Sequence, residues 1–277
     1  MCRLYGFRAT ELTKVECTLA YAQNNLLHQS RGDLRGETHP DGWGIAHYED
    51  GVPGVERRAT AAYETLDFSR VAERTYARTV VAHVRRATVG RGSLVNTHPF
   101  IVGRWSFAHN GTVRGFDVVG PRMAREVPPD LLARRRGVTD SELAFLWLLG
   151  RLRDGGASLD DALSAEYVAE VLARGVCVLE GYCRDAGADR PAQLNFVLTD
   201  GHVLCASRWR HSLYLLMRHG VHDCEICGIP HVRHHEGADY RAAVIASEPI
   251  THEAWEAVHE GTVVALDDDV QAETYPI

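Results

Sequence analysis

Met1-Cys2-Arg3-Leu4-Tyr5-Gly6-Phe7 opens the chain and decides how the rest is read. A cysteine directly after the initiator methionine is small enough for that methionine to be trimmed during synthesis, which leaves Cys2 as the N-terminal residue. Such a residue carries a thiol and an α-amine on one Cα, with ordinary pKa values of about 8.5 and about 7.7–8. Nucleophile and proton acceptor then belong to the same residue, an arrangement in which a free amine activates its own side chain. The plainer alternative is a small buried hydrophobe at the start of a strand, since Leu4 to Phe7 read as a first strand that ends a sheet at Cys2. Thiol reactivity is set by surroundings, so the choice rests on what the remaining residues bring.

Length and composition narrow the field. With 277 residues, 45% of them hydrophobic, the chain can bury a sizeable core as one large domain or two small ones. A net charge of −7 argues against a nucleic-acid surface, which needs a basic face; the run Arg134-Arg135-Arg136 reads as a solvated loop. No stretch approaches the roughly 18 apolar residues of a membrane span, and no charged start leads into an apolar h-region. Seven cysteines, an odd number without scaffold spacing, favour a reducing, cytoplasmic setting.

Beyond the first strand, Thr13 to Gln29 carries Val15, Leu19, Ala22 and Leu26 at helical spacing, with Glu16 near the start where a negative charge suits the helix dipole. Trp43 to Tyr48, Val80 to Val84 and Trp105 to Ala108 are short apolar runs of strand type. Gly115 to Arg136, interrupted by Pro121, Pro128 and Pro129, reads as a flexible excursion or a substrate-facing lid. Thr139 or Asp140 caps a helix that ends before Gly155-Gly156, and a second helix runs from Ser158 to about Arg174-Gly175. Strands return at Leu194 to Leu198, His202 to Ala206, Leu213 to Met217, Ala242 to Ala246 and Thr262 to Leu266, followed by a polar tail from Asp267. Strands, helices, then strands without a linker favour one α+β domain.

Five polar motifs sit at the ends of these elements: His39-Pro40-Asp41-Gly42-Trp43-Gly44, His83-Val84-Arg85-Arg86-Ala87-Thr88, Asn96-Thr97-His98-Pro99-Phe100, His109-Asn110-Gly111-Thr112 and Thr139-Asp140-Ser141-Glu142. Each has a structural reading of its own. Asn-Gly is a strong turn signal, Arg85 suits a surface, and Asp140 suits a helix cap. Together, in this order after Met-Cys, they closely resemble the class II glutamine amidotransferases, which are N-terminal-nucleophile hydrolases. The second half, with Asn195-Phe196-Val197-Leu198-Thr199-Asp200-Gly201 and Ala246-Ser247-Glu248-Pro249 before Trp255, resembles the stand-alone branch. That branch includes γ-glutamyl hydrolases of ergothioneine biosynthesis and subunits of glutathione-degrading complexes.

The resemblance implies a four-layer αββα sandwich, with residues 1–277 as a single type-2 amidotransferase domain whose mature form starts at Cys2. It implies hydrolysis of a γ-glutamyl amide, glutamine or a γ-glutamyl thiol-type compound, with Cys2 as nucleophile. Asn110 and Gly111 then stabilise the oxyanion, a donor role whose loss typically costs ~3–4 kcal/mol. The fixed handle of a γ-glutamyl group is a carboxylate and an ammonium. Arg85, with its planar fork, takes the first and Asp140 the second, while Thr88 and His98 shape the pocket. Asp41, Gly42 and Trp43 support the nucleophile's surroundings. Arg86 departs from the synthetase-type enzymes, which often have tryptophan there, and so weakens any transfer of glutamine specificity. No cofactor is required for this catalysis.

One feature stands outside the resemblance. Cys224-Glu225-Ile226-Cys227-Gly228, followed by His231 and His234, has the ligand types of a structural zinc site, with Cys224, Cys227, His231 and His234 as ligands. Free thiols or histidines at a pocket mouth fit the same residues. Two further functions compete with a self-contained hydrolase: a glutaminase subunit passing ammonia to a separate synthetase partner, and a non-catalytic scaffold whose Cys/His loop binds metal or a protein. The expected substrate is a small molecule, with no nucleic acid and no membrane, and a protein partner or homo-oligomer stays open.

Overall fold

In a computed structural model the described residues are 2–49, 51–90, 92–154, 156–232 and 239–277. The first strand is longer than its apolar start suggests: β1 runs Arg3–Lys14. With β2 (Trp43–Glu49), β3 (Val52–Arg58) and β4 (Tyr76–Val84) it builds one side of an antiparallel sheet. The second sheet takes β5 (Phe100–Val102), β6 (Trp105–Thr112), β7 (Gln193–Thr199) and β8 (Leu204–Arg208). The chain then returns to the first sheet with β9 (Tyr214–His219), β10 (Arg241–Ala246) and β11 (Glu256–Ala257), and ends in the second with β12 (Thr262–Leu266) and β13 (Ala272–Pro276). The strand orders are β11-β9-β10-β1-β4-β2-β3 and β13-β12-β8-β7-β6-β5, which put β1 in the middle of the seven-stranded sheet.

Side chains alternate faces along a strand, and that period sorts the core into three slabs. Leu4 of β1, Val81 of β4 and Ile245 of β10 meet Ala108 of β6, Val197 of β7 and Leu204 of β8 between the sheets. The out-of-phase Tyr5, Phe7, Val80 and Ala82 pack outward against Leu19, Leu26 and Phe68 of the helical segments. Phe107 and Phe196 point out of the other sheet beneath two long helices. Gly6 faces inward, where a Cβ would sit 3.4 Å from Val197 and Leu204. The result is an α+β sandwich of four layers, αββα.

Several expectations are corrected. The helical spacing over Thr13 to Gln29 does not make one helix: β1 continues to Lys14, a π-helical turn covers Cys17–Tyr21, and α1 is Leu26–Arg31. Asn25 divides them, its side chain accepting the His28 N–H at 2.7 Å as an N-cap. After α2 (Asp67–Arg74), the segment read as an excursion or lid forms α3 (Phe116–Glu126) and α4 (Pro129–Leu132). Val119, Met123 and Leu131 bury it in the outer core, and Glu126 accepts from Trp147 Nε1 (2.8 Å) and the Tyr182 hydroxyl (2.7 Å).

Helix α5 is Asp140–Arg153 as expected, but α6 is Ala165–Asp185, starting at the Ser164 cap and running through Gly175. Gly175 is a packing residue there: a Cβ would meet Leu148 of α5 at 2.6 Å. The polar tail folds as β13 against β12, and Asp268 pairs with Arg8. Among the described residues no helix is long and apolar enough to cross a membrane.

Candidate active site

The alternation that sorts the core also aims the functional residues. Cys2 is in phase with Leu4, Arg85 with Val81 and His83, and Asn110 with Ala108, so three strands turn these side chains toward the gap between the sheets. The strands are tied across that gap. His83 Nε2 lies 3.1 Å from the His109 carbonyl, and Ser247 Oγ accepts the Leu4 N–H at 3.0 Å while lying 3.3 Å from Asn110 Nδ2. One hydroxyl thus joins the backbone beside the nucleophile to Asn110.

Cys2 is buried, with Sγ 3.3 Å from the Arg86 carbonyl and 3.4 Å from its N–H. Burial pushes the thiol up; the Arg86 N–H and the Arg85 charge pull the other way without cancelling it. The resting sulfur is therefore a protonated thiol that needs a base. Arg85 Nη2 holds the carbonyls of Val89 (2.9 Å) and Gly90 (3.2 Å), and its charge faces Cys2, Asp41 and Asp140. Asp41 and Gly42 clasp the Arg85 backbone from both sides, and the Asp41 carboxylate accepts the Ala87 N–H at 2.8 Å.

Gly111 has no room for a side chain, because a Cβ would overlap the Gln193 carbonyl. Thr139, not Asp140, caps α5 by accepting the Glu142 N–H at 3.1 Å. Asp140 is left to accept Val113 N–H (2.8 Å) on Oδ2 and Ser141 N–H (2.9 Å) on Oδ1. The hydroxyl of exposed Thr88 pairs with that of buried Thr112 at 3.1 Å, at the end of β6. The His98 ring lies 4.2 Å from that of His83 in a tilted contact and 4.5 Å from that of Phe100 edge-on, and neither ring nitrogen has a hydrogen-bond partner among the described residues. Burial, then the neighbouring His83 and His109, hold it well below the ordinary histidine range. It is a neutral wall behind the site.

A buried ion cluster around the Cys2 backbone escapes the sequence reading. Arg3 donates to the Cys2 carbonyl (2.9 Å), pairs with Glu248 (2.9 Å) and with Asp33, and Asp33 also meets His39 Nε2 at 3.2 Å. Glu248 accepts the Leu34 N–H as well. Loops from opposite halves of the chain are thereby fastened beside the nucleophile. The signal was an arginine next to Cys2 and a Ser-Glu-Pro turn after a strand, neither of which reveals its partner.

The cysteine loop gathers elsewhere. Sulfur atoms of Cys17, Cys224 and Cys227 and a ring nitrogen of His231 all lie within 4.8 Å of one another, a set with the ligand types to hold a metal. Three of the four expected ligands are thus together, joined by Cys17; the fourth, His234, lies outside the described residues.

Two helix-backed antiparallel sheets with a buried thiol at the edge of their shared cleft form the layout of an N-terminal-nucleophile hydrolase. Within that class the chain belongs to the class-II glutamine amidotransferases, whose family pattern it matches over residues 1–275. It is similar to DUG3 of Saccharomyces cerevisiae, named a probable glutamine amidotransferase, at 28% identity over 96% of this chain and 82% of that protein. It is similar to the gamma-glutamyl-hercynylcysteine sulfoxide hydrolase of Mycobacterium tuberculosis at 27% identity over 79% of this chain and 81% of that one. A Silicibacter pomeroyi glutamine aminotransferase class-II domain protein shares the fold with a TM-score of 0.65, at 21% identity and 99% coverage of both chains. Membership makes this an amide-hydrolysing enzyme of the glutamine amidotransferase type.

Proposed function

We propose that the chain hydrolyses a γ-glutamyl thiol-type compound through a Cys2 thioester, releasing glutamate and an amine. The observation that carries this reading is the convergence of Cys2, Arg85 and Asn110 on one inter-sheet cleft, with Ser247 bridging the first strand to Asn110. The mature chain, one type-2 domain, begins at Cys2. Its freed α-amine takes the thiol proton, and the thiolate attacks the γ-carbonyl carbon. The carbonyl π electrons move to oxygen, where Asn110 and the Gly111 N–H stabilise the charge. Collapse expels the amine with the proton from the Cys2 ammonium; water, deprotonated by the same amine, then cleaves the thioester and regenerates the thiol.

Asn110 Oδ1 has no partner among the described residues. The two ends of an amide occupy equivalent volumes. Turned over, the amide accepts the Ser247 hydroxyl and puts its NH2 where that lone oxygen stands, the orientation an oxyanion requires. Arg85 clamps the substrate α-carboxylate. Asp140 takes the ammonium on Oδ2, which accepts only the Val113 N–H, while Oδ1 accepts both the N–H and the hydroxyl of Ser141.

Similarity to proteins named gamma-glutamyl-hercynylcysteine sulfoxide hydrolase supports a γ-glutamyl substrate whose leaving amine carries sulfur. So does the mouth beside Cys2, where Arg86 pairs with Glu37 at 2.6 Å instead of presenting an aromatic wall. The test is glutamate release by the purified chain alone from glutamine and from γ-glutamyl thiol compounds, with faster turnover expected on the latter. Release only after adding a second protein would favour an ammonia-delivering subunit, and none under any condition would sink the proposal. Intact mass of the active enzyme should lack Met1; a retained methionine removes the amine from its role.

A further inference from the structure

We propose that Cys17, Cys224, Cys227 and His231 hold one structural zinc ion, with Cys17 supplying the ligand that the loop itself lacks. A Cys-x-x-Cys turn alone offers two sulfurs. Three features of the surrounding chain complete a tetrahedral Cys3His set.

The turn is shaped for the purpose. Gly228 adopts a left-handed φ of +73°, its N–H bonds the Cys224 carbonyl at 2.8 Å, and the Ile226 N–H points at Cys224 Sγ at 3.4 Å. Backbone donors to a sulfur are the kind of outer contact that orients a metal ligand. His231 is carried in by pairing with the end of β1: its carbonyl accepts the Lys14 N–H at 2.9 Å, and Val232 bridges Thr13. That brings its Nε2 to 3.1 Å from Cys227 Sγ.

Cys17 comes from the other direction, at the first position of the π-helical turn, and it is buried where Cys227 is exposed. In a tetrahedron with Zn–S bonds of about 2.3 Å and a Zn–N bond near 2.0 Å, ligand atoms stand roughly 3.5–3.8 Å apart. The observed spread of up to 4.8 Å closes to that by side-chain rotation around an ion. The ligand set is soft and fully protein-derived, which suits zinc and a structural role. The ion would fasten the loop after β9 to the segment joining β1 to α1, beside a cavity of about 280 Å³ lined by Lys14, Arg218 and Glu253.

The experiment uses the untagged full-length chain. Elemental analysis should find one zinc per chain, and cobalt exchange should produce the intense thiolate-to-cobalt absorption of a sulfur-rich tetrahedral site. C17S and, as a surface variant with little bearing on folding, C227S should each lower zinc affinity at least ~10-fold against a competing chelator, while H234A should leave it unchanged. Three results would each overturn the assignment: a wild-type chain that neither carries nor takes up zinc or cobalt; loss in H234A with retention in C17S; or a metal-free, unreduced, denatured protein in which two of the seven thiols are missing to a disulfide.

Discussion

The two ends of β1 each present a buried cysteine, and the two thiols are set in opposite company. At the start of the strand, Cys2 stands beside the Arg85 guanidinium and the Arg86 N–H, with the Asn110 amide tied to the neighbouring backbone through Ser247. Just past its end, Cys17 stands beside two more sulfurs and an imidazole. Among the described residues no other group of three or more such ligands gathers. Charge and hydrogen-bond donors favour a thiolate that must attack and leave again, whereas a cluster of soft donors around an ion favours a thiolate that never leaves. The side chain is the same in both places, so the neighbours within a few ångströms define its chemistry.

That contrast breaks most sharply on a crossed pair of substitutions. C2A should lower turnover by at least ~10³-fold, the scale of removing a nucleophile that acts with its base as a unit, while circular dichroism and zinc content stay as in the parent. C17S should do the reverse to zinc. A C2A enzyme that keeps substantial turnover would end the comparison. Next in size is N110A, expected to lower kcat ~10²–10³-fold with little change in KM, because an oxyanion donor acts in the transition state. A rise in KM at constant kcat would instead make Asn110 a ground-state contact.

Much of the Cys2 end was legible in the sequence, because Cys2, Arg85, Asn110 and Asp140 lie in short motifs at strand and helix ends, and alternation alone aims the first three inward. Less was legible where a residue's partner is distant. Arg3 needs Asp33 and Glu248, and Cys17 needs a loop more than two hundred residues away. The helical spacing of Val15, Leu19, Ala22 and Leu26 was real but followed the outer face of a sheet across a break at Asn25, so periodicity gave the buried face and not the element. Gly175 misled similarly, as glycine in a helix marks either an end or a close approach to another helix.

The Cys2 end is also the more acid-sensitive in its protein frame. Burial, followed by the Arg3 charge, lowers His39 to about 4; burial lowers His83 and His211 each to about 3. A histidine with a folded value below its unfolded one binds its proton more readily when the chain is open. Its contribution is complete above about pH 6.5 and is lost as pH falls toward 4 and 3. Holding one histidine near 4 instead of 6.5 is worth roughly 3 kcal/mol, and each kcal/mol moves the melting midpoint of a chain this size by roughly 2–4 °C. Release of the proposed zinc on acidification would superimpose on this, so the measurement is made on chelator-treated protein between pH 7 and 4. A flat midpoint would mean these rings titrate freely.

The smallest effect tests the link between strand and amide. Ser247→Ala removes a hydroxyl that accepts from Leu4 N–H and touches Asn110, and it should cost about 1–3 kcal/mol of stability because a buried N–H loses its acceptor. A purely structural role would stop there and leave kcat per folded molecule untouched. If Ser247 also orients Asn110, kcat should fall roughly 5–10-fold, the equivalent of one hydrogen bond of about 1 kcal/mol, with KM unchanged. In the N110A background the same substitution should then have no further effect on kcat, since nothing is left to orient. Equal losses in both backgrounds would separate the two residues and leave the Cys2 site without its fixed amide.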